Sequence, residues 1–296
     1  MMNIGTPHQI IDRIAQSLSG LCGDRETCYQ HAWWLLEALT HKTKIALITH
    51  NTIVLSNADL KKLEEWVYQL VNEHKPIQYI LGTVPFLHLD LFVEPPILIP
   101  RPETEEWVSV LLQYLHPLKH HALRIADIGT GTGCIALALG KALPHAEIVA
   151  CDINPQALDL AARNAAHNNI TNVQCVLSDL FENISGKFDI IVSNPPYITP
   201  QEYEQLDPSV VQWEDHRALV ASDQGLAVIK KLITQAKNHL RYHKELTTSA
   251  IPQLWIEIGY KQADSVLELM HQAGYARTLL FRDAFGNDRC VQGMLE

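Results

Sequence analysis

Strand-forming and helix-forming segments alternate between residue 104 and Ser193, and this alternation constrains the fold more than any other feature of the sequence. Apolar runs separated by helical segments predict buried strands at Leu123–Ile128, Glu147–Cys151, Val173–Leu177 and Phe188–Ser193. Strands that alternate with helices in this way pair in parallel within one sheet.

The pattern continues after Ser193. It predicts helices at Leu219–Asn238 and Ala263–Ala273, and strands at Gln253–Ile258, Arg277–Phe281 and Arg289–Met294. The turn residues 283–288 predict that the last two strands are antiparallel. We therefore expect an α/β fold with a seven-stranded, mostly parallel sheet and helices on both faces.

The N-terminal part, residues 1–75, has helical periodicity and no catalytic constellation. Ser56 and Asp59 are expected to cap a helix over Asn57–Leu70. Two further helices are indicated by the apolar face of Ile10, Ile11, Ile14 and Leu18 and by Ala32–Leu39. We expect a small helical domain that serves either as a stabilising bundle or as a module for docking a partner.

A glycine-rich loop follows the first predicted strand, before a helix at Cys134–Ala142. Its residues are Gly129, Thr130, Gly131, Thr132 and Gly133. Asp152 ends the next strand, where a carboxylate is placed to bind ribose hydroxyls. The GxGxG spacing differs from the GxGxxG that binds a pyrophosphate, and Asp127 before the loop favours a cationic ligand. S-adenosylmethionine fits this pattern, and an ordinary tight turn is the alternative.

The third predicted strand ends at Ser178, Asp179 and Leu180. Asp179 is a candidate acceptor for the exocyclic amine of adenine, and Leu180 or Phe181 is a candidate to cover the adenine ring. A polar loop with an apolar anchor explains these residues equally well. Ligands of open α/β sheets bind beyond the carboxyl ends of the strands, so the position agrees with that of the glycine loop.

The fourth predicted strand runs into the tetrapeptide Asn194, Pro195, Pro196 and Tyr197. The Asn194 side chain and the Pro195 carbonyl can accept hydrogen bonds from a planar NH₂ group, and Tyr197 offers a flat face. These residues are our candidates for catalysis and substrate binding, and Asn194 is also a candidate for contacting the cofactor. A strand end followed by a proline-rich turn is the alternative.

Residues 76–103 form the expected connector to the third part of the chain, residues 104–296. Val84–Val93 predicts a β-hairpin with Pro85 at an edge. The proline-rich segment over residues 97–105, called the lip below, is expected to lie beside the glycine loop. Arg101 in the lip is a candidate for pairing with an acidic group and for binding substrate.

Composition disfavours several classes of protein. No run approaches about 18 uncharged apolar residues, the length of a membrane span. Residues 1–5 lack the basic and apolar parts of a signal peptide, and six scattered cysteines are typical of reduced thiols, so we expect a cytoplasmic protein. The net charge of −10, with Lys and Arg thinly spread, disfavours nucleic-acid binding. No zinc-ligand spacing occurs at Cys22 and Cys28 or at His116, His120 and His121, so no metal is expected.

The chain resembles the release-factor glutamine methyltransferases of the HemK or PrmC family over nearly its whole length. The matching stretches are Lys75–Gly82, Leu98–Glu105, Asp127–Gly133, Ser193–Ile198, Glu257–Gly259 with Gln262, and Asp288–Arg289. The lip and the tetrapeptide together are highly specific. Two departures are Leu180, where many members carry a tryptophan, and Lys244–Ile251, which is longer than usual.

The resemblance implies a class I methyltransferase fold and the use of S-adenosylmethionine, with S-adenosylhomocysteine as product. It implies methylation of the side-chain amide nitrogen (N5) of the glutamine in the GGQ motif of class I peptide-chain release factors. It also implies that the N-terminal helices dock the release factor.

Three alternatives remain at this level. An adenine-N6 methyltransferase acting on DNA or RNA would use the same residues to hold a flipped base. The acidic balance and the lack of a recognisable target-recognition domain count against it. A non-catalytic adapter is disfavoured by the intact glycine loop, Asp152 and Asn194, and an NAD-dependent reductase by the GxGxG spacing.

Overall fold

The structure is a computed structural model that describes residues 4–21, 24–49, 52–241 and 251–295. Backbone contacts divide the chain into two compact units. Unit 1 comprises Met1–Gly82 together with Asp207–Trp213, and unit 2 comprises Thr83–Leu206 and Glu214–Glu296. The predicted connector over residues 76–103 therefore contributes to both units, and the docking role of the N-terminal part stays a prediction.

Unit 1 is mainly helical, as expected. Its helices are α1 (Pro7–Ser17), α2 (Arg25–Thr40), α3 (Lys44–Ile48), α4 (Asn57–Asn72) and α5 (Ile77–Leu81), and strands β1 (Ile4–Gly5) and β2 (Ile53–Val54) pair antiparallel. The predicted face of Ile10, Ile11, Ile14 and Leu18 is buried in its core. The cap of α4 is confirmed, because Ser56 and Asp59 form a capping box.

A short helix from the second half of the chain, α10 (Pro208–Trp213), also belongs to unit 1. The indole nitrogen of Trp213 donates a hydrogen bond to the Glu73 carbonyl at 2.8 Å. The Lys75 ammonium lies 5.2 Å from the centre of the Trp213 ring. These contacts attach the segment to the end of α4.

Unit 2 contains the expected seven-stranded sheet among the described residues, in the order β10-β11-β9-β8-β5-β6-β7. The strands are β5 (Arg124–Ile128), β6 (Glu147–Asp152), β7 (Val173–Leu177), β8 (Ile190–Ser193), β9 (Leu254–Glu257), β10 (Arg277–Arg282) and β11 (Asp288–Met294). Neighbouring strands from β5 to β9 pair in parallel, while β11 is antiparallel to β9 and to β10. The predicted hairpin is also present, as β3 (Thr83–Phe86) and β4 (Leu89–Phe92).

Helices flank the sheet because its central strands β5, β6, β8 and β9 are buried on both faces. Among the described residues, the helices of unit 2 are α6 (Pro102–Leu115), α7 (Cys134–Ala142), α8 (Pro155–His167), α9 (Pro200–Tyr203), α11 (His216–Leu219), α12 (Ala227–His239) and α13 (Ala263–Gln272). Ala126 and Ile128 of β5 pack in one cluster with residues of α12 and α13. Helix α7 contacts β5, and α8 contacts β6, so the crossover helices also cover the sheet. No helix in the described ranges has the length and apolarity to cross a bilayer.

The predicted helix at Leu219–Asn238 is wrong over residues 220–226. Helix α11 ends at Leu219, and α12 begins only at Ala227. Asp223, Gln224 and Gly225 between them all have positive φ angles, which a right-handed helix excludes. Most of the predicted Lys244–Ile251 loop, residues 244–250, lies outside the described residues.

Candidate active site

A cavity of about 350 Å³ opens at the carboxyl ends of the parallel strands. It brings together residues that follow β5, β6, β7 and β8, as expected for the ligand site of an open α/β sheet. The predicted site residues that line it are Gly129, Gly131, Asp152, Asp179, Leu180, Asn194, Pro195 and Pro196.

The glycine loop is hydrogen-bonded to Asp152. One carboxylate oxygen of Asp152 accepts from the Gly131 N–H at 2.9 Å, and the other accepts from the Asn154 N–H at 2.9 Å. Gly131 has φ +56°, and a Cβ there would meet no atom within 4 Å, so its surface is open. Burial raises the pKa of Asp152, and the backbone donors oppose that shift. Each carboxylate oxygen keeps a second lone pair, which leaves Asp152 able to accept from ligand hydroxyls.

Asp127 is fully buried beside the glycine loop. Its Oδ2 accepts from the Thr130 hydroxyl at 2.7 Å and from the Ala136 N–H at 3.1 Å. Among the described residues, its Oδ1 has no hydrogen-bond partner. Burial raises the pKa of Asp127 to about 7. A buried carboxylate with one oxygen unsatisfied is stabilised by a nearby positive charge.

The other loop residues named from the sequence lie behind the cavity surface. Thr130 bonds to Asp127, and the Thr132 carbonyl accepts from the side-chain amide of Asn164 at 2.9 Å. Gly133 is the N-terminal cap residue of α7. These three residues hold the loop in place, and a direct contact with a cofactor stays a prediction for each.

Asp179 and Leu180 line the cavity beyond β7. The Leu180 carbonyl accepts from the Ser178 hydroxyl at 2.9 Å, and the Leu180 side chain packs against the main core. The position of Leu180 is compatible with an apolar cover for a flat ring.

The first three residues of the tetrapeptide and its tyrosine have different surroundings. Asn194, Pro195 and Pro196 line the cavity, whereas Tyr197 does not. The Asn194 side-chain nitrogen donates to the Thr104 hydroxyl at 3.2 Å. The Tyr197 hydroxyl donates to Glu257 at 3.2 Å, and burial raises the pKa of Tyr197. Tyr197 therefore attaches the tetrapeptide to the protein core.

Arg101 is paired with an acidic group, as the sequence suggested. Its Nη2 donates to both carboxylate oxygens of Glu214, at 2.6 and 2.7 Å. Burial raises the pKa of Glu214, and the Arg101 charge opposes that shift. The pair connects the lip to the segment that follows Trp213, and a role of Arg101 in substrate binding stays a prediction.

Several cavity residues were not found from the sequence. Asp215 is held by Arg217, whose hydrogen bond lowers the pKa of Asp215, and both line the cavity. Nothing in the local sequence marks these residues, whereas Ile97 and Leu98 belong to the lip. The remaining unpredicted lining residues are Ile128, Ile153, Asn154, Ala157, Ser178, Ser193, Ala218 and Val228. Within the described ranges, no group of three or more His, Cys, Asp or Glu is arranged to hold a metal ion.

Comparison with known proteins decides the family. The relatives include proteins named release factor glutamine methyltransferase from Lactococcus lactis, 39% identical over 80% of this chain and 83% of the relative, and from Flavobacterium psychrophilum, 33% identical over 95% and 96%. The protein of that name from Escherichia coli is 37% identical over 88% of this chain and 89% of its own length. This chain belongs to the release factor glutamine methyltransferase family.

Domain families and solved structures agree with this membership. The methyltransferase small domain matches residues 106–212, and the PrmC N-terminal domain matches residues 12–82. A methyltransferase from Pyrococcus furiosus has the same fold, with TM-score 0.50, 16% identity, and coverage of 82% of this chain and 100% of its own. The catalytic domain of hMettl16, solved with an RNA hairpin, has TM-score 0.54, 17% identity, and coverage of 84% and 86%. At these identities the structures show the class I methyltransferase fold alone.

Members of this methyltransferase family require a methyl donor, and their fold implies S-adenosylmethionine. The residues of the cavity fit that molecule. Asp127, which is buried beside the glycine loop and does not line the cavity, has an unsatisfied carboxylate oxygen that a cationic ligand would stabilise, and Asp152, which lines the cavity, offers lone pairs for ribose hydroxyls. Leu180, Ile153 and Ala157 offer apolar surface for an adenine ring.

Proposed function

We propose that this protein transfers a methyl group from S-adenosylmethionine to the side-chain amide nitrogen (N5) of the glutamine in the GGQ motif of class I peptide-chain release factors. The observation that carries the proposal is Asn194, whose side chain lies at the cavity wall with its nitrogen turned toward Thr104. An amide held in this way offers its oxygen to an N–H donor. The family relationship supports the same conclusion.

Cofactor binding is assigned to the three strand ends before the tetrapeptide. Gly129 and Gly131 would approach the methionine portion, Asp152 would hold the ribose, and Asp179 with Leu180 would receive the adenine. S-adenosylmethionine, when bound, supplies an activated methyl group on a sulfonium. No metal is required for this chemistry.

The substrate amide determines what Asn194 and Pro195 must do. A primary amide nitrogen is a weak nucleophile, because its lone pair is delocalised into the carbonyl. As the nitrogen attacks, it becomes pyramidal and its N–H groups become more acidic. Acceptors fixed on those N–H groups therefore bind the transition state more strongly than the ground state. The Asn194 oxygen and the Pro195 carbonyl are assigned this role.

Alignment supplies much of the remaining rate acceleration. The tetrapeptide is fixed at its far end by Tyr197, whose carbonyl accepts from Gln262 at 2.9 Å and whose hydroxyl bonds to Glu257. A motif held at both ends keeps a bound amide near the attacking geometry. The proton of the product amide can leave to water after the transfer, so no general base is assigned.

The partner is a class I release factor, and the activity would support translation termination in the cytoplasm. The N-terminal part of the chain, expected over residues 1–75, is assigned to docking this partner. A docking role is consistent with the helical unit 1, none of whose described residues lines the cavity.

Intact-protein mass spectrometry tests the proposed function. The purified protein is incubated with S-adenosylmethionine and an unmethylated class I release factor, and a gain of one methyl group on the GGQ glutamine is expected. A release factor with Asn or Glu in place of that glutamine serves as the control and should gain nothing. An unchanged mass of the wild-type release factor, with a folded enzyme that binds the cofactor, would refute the proposal.

The same assay includes DNA and RNA oligonucleotides in parallel. Methylation of adenine in these oligonucleotides, without methylation of the release factor, would replace the proposed substrate by a nucleic acid. The net charge of −10 favours the protein substrate.

A further inference from the structure

Two buried residues from distant parts of the chain meet behind Asn194. Thr104 lies in the first turn of α6 and is 2% exposed, and Glu257 is the last residue of β9 and is 1% exposed. Burial of a carboxylate costs free energy unless several hydrogen-bond donors satisfy its oxygens. The arrangement around Glu257 therefore requires a reason.

Three side chains donate hydrogen bonds to Glu257. Its Oε2 accepts from the Thr104 hydroxyl at 2.6 Å and from the Trp107 indole at 2.8 Å, and its Oε1 accepts from the Tyr197 hydroxyl at 3.2 Å. Burial raises the pKa of Glu257, while these donors and the nearby Arg289 charge favour its ionised form. The carboxylate is thus an acceptor on both of its oxygens.

This pattern determines the direction of the next hydrogen bond. A hydroxyl has a single proton, and Thr104 donates it in the hydrogen bond to Glu257. The Thr104 oxygen can then only accept, so the group of Asn194 that faces it must be the NH₂ group. A flipped Asn194 amide would set its oxygen against the lone pairs of Thr104, which is repulsive. The amide oxygen of Asn194 is consequently turned away from Thr104.

We propose, on the basis of the methyl-transfer function above, that Thr104 and Glu257 are positioning residues that hold the Asn194 amide in its productive orientation. Glu257 also holds Tyr197, so one carboxylate fixes both ends of the tetrapeptide. Neither residue lines the cavity, and both act through Asn194 and Tyr197.

Two substitutions of Thr104 test the orientation. Thr104→Val keeps the shape and removes the hydroxyl, and Thr104→Ser keeps the hydroxyl. Thr104→Val is expected to lower kcat on intact release factor by about 10–100-fold and to change cofactor affinity by less than about threefold, as expected for loss of one hydrogen bond that positions a reacting group. Thr104→Ser is expected to recover most of kcat. A Thr104→Val enzyme with kcat within about twofold of the wild type would overturn the proposal.

A double-mutant cycle separates positioning from general support. If Thr104 acts through Asn194, Thr104→Val has no further effect on the single-turnover rate in an Asn194→Ala background. An undiminished effect in that background would overturn the proposal. Glu257→Gln still offers an oxygen to Thr104 and Trp107 and is expected to keep kcat within about fivefold of the wild type. Glu257→Leu offers no acceptor and is expected to lose as much kcat as Thr104→Val, and a folded Glu257→Leu enzyme with kcat within about twofold of the wild type would remove Glu257 from the proposal.

Nuclear magnetic resonance gives a readout that needs no activity. The side-chain amide signal of Asn194 is identified by its loss in Asn194→Ala. It is expected to shift in Thr104→Val and to return in Thr104→Ser, and an unshifted signal would overturn the proposal. If the wild type methylates no release factor, the proposed function fails, while this measurement still decides whether Thr104 orients the amide.

Discussion

Gly225 is the position at which a single methyl group should disturb the tetrapeptide most directly. Its φ is +79°, and a Cβ built on it would lie 2.9 Å from the Tyr197 carbonyl carbon and 2.6 Å from the Gln262 side-chain nitrogen. It would lie still closer to the Tyr197 carbonyl oxygen, which accepts the hydrogen bond from Gln262. Gly225→Ala must therefore displace the Tyr197 backbone or the turn that carries residue 225.

Two costs add up in this variant. A non-glycine residue at this positive φ costs about 1–2 kcal/mol, and overlap with a packed backbone costs about 1–3 kcal/mol. We expect Gly225→Ala to lower the free energy of unfolding by roughly 2–5 kcal/mol. Gly286→Ala is the matched control, because Gly286 has φ +81° and a Cβ there would meet no atom within 4 Å. The control should lose only the first cost, about 1–2 kcal/mol.

Urea unfolding of the wild type and the two variants, followed by circular dichroism, measures their free energies of unfolding. A folded Gly225→Ala protein should also transfer methyl groups about 10–100-fold more slowly, because the tetrapeptide is displaced from its alignment, whereas Gly286→Ala should keep the wild-type rate. If Gly225→Ala is no less stable than Gly286→Ala, the close approach of residue 225 to Tyr197 is incorrect.

Four further outcomes are expected. Asn194→Ala should change cofactor affinity by less than about threefold and lower the single-turnover rate by about 10²–10³. Asn194→Asp should be equally impaired, because a carboxylate cannot replace the hydrogen bond that Asn194 donates to Thr104. A near-normal rate for either variant would exclude Asn194 from catalysis. Asp152→Ala should weaken cofactor binding by roughly 1–3 kcal/mol in a calorimetric titration, and an unchanged affinity in a folded variant would exclude Asp152 from the site. Cofactor affinity should rise as the pH increases toward the Asp127 pKa of about 7 and level off above it, because a bound cation favours the ionised carboxylate. Asp127→Asn should reduce this dependence of affinity on pH. An identical pH profile in that variant would contradict a role of Asp127 in stabilising a bound cation. Deletion of residues 1–75 should leave cofactor binding intact and abolish methylation of folded release factor, because the remote binding energy is lost; transfer at the full rate would refute the docking role.

The sequence alone was sufficient for most of the architecture. Apolar runs separated by helical segments located the strands of the sheet, and the turn before Asp288 correctly indicated the antiparallel pair β10–β11. The capping box at Ser56 and Asp59 was also recognised, because it depends only on neighbouring residues. The prediction failed at residues 220–226, where a run of positive φ angles interrupts an apolar helical pattern. Apolar periodicity there reflects burial near the core and does not report the backbone conformation.

Only part of the candidate active site could likewise be predicted from the sequence. Strand ends followed by glycine, Asp152, Asp179 and Asn194 were identified from the sequence, since parallel strands bring their carboxyl ends to one edge. The partners of these residues were not identified. Glu214 pairs with Arg101 across 113 positions of sequence, and Glu257 meets Thr104 across 153. Asp215 and Arg217 enter the cavity from a segment with no recognisable motif.

Local patterns in this sequence determined which residues are candidates for methyl transfer, because hydrogen-bonding capacity, charge and strand periodicity are properties of single residues and their neighbours. Only the tertiary structure decided how those residues are oriented. The direction of the Asn194 amide depends on a hydroxyl from α6 and a carboxylate from β9, and the position of Tyr197 depends on Glu257 and Gln262. These contacts form only when packing of the sheet brings distant segments together and removes water from between them, which makes each hydrogen bond stronger and each unsatisfied group more costly.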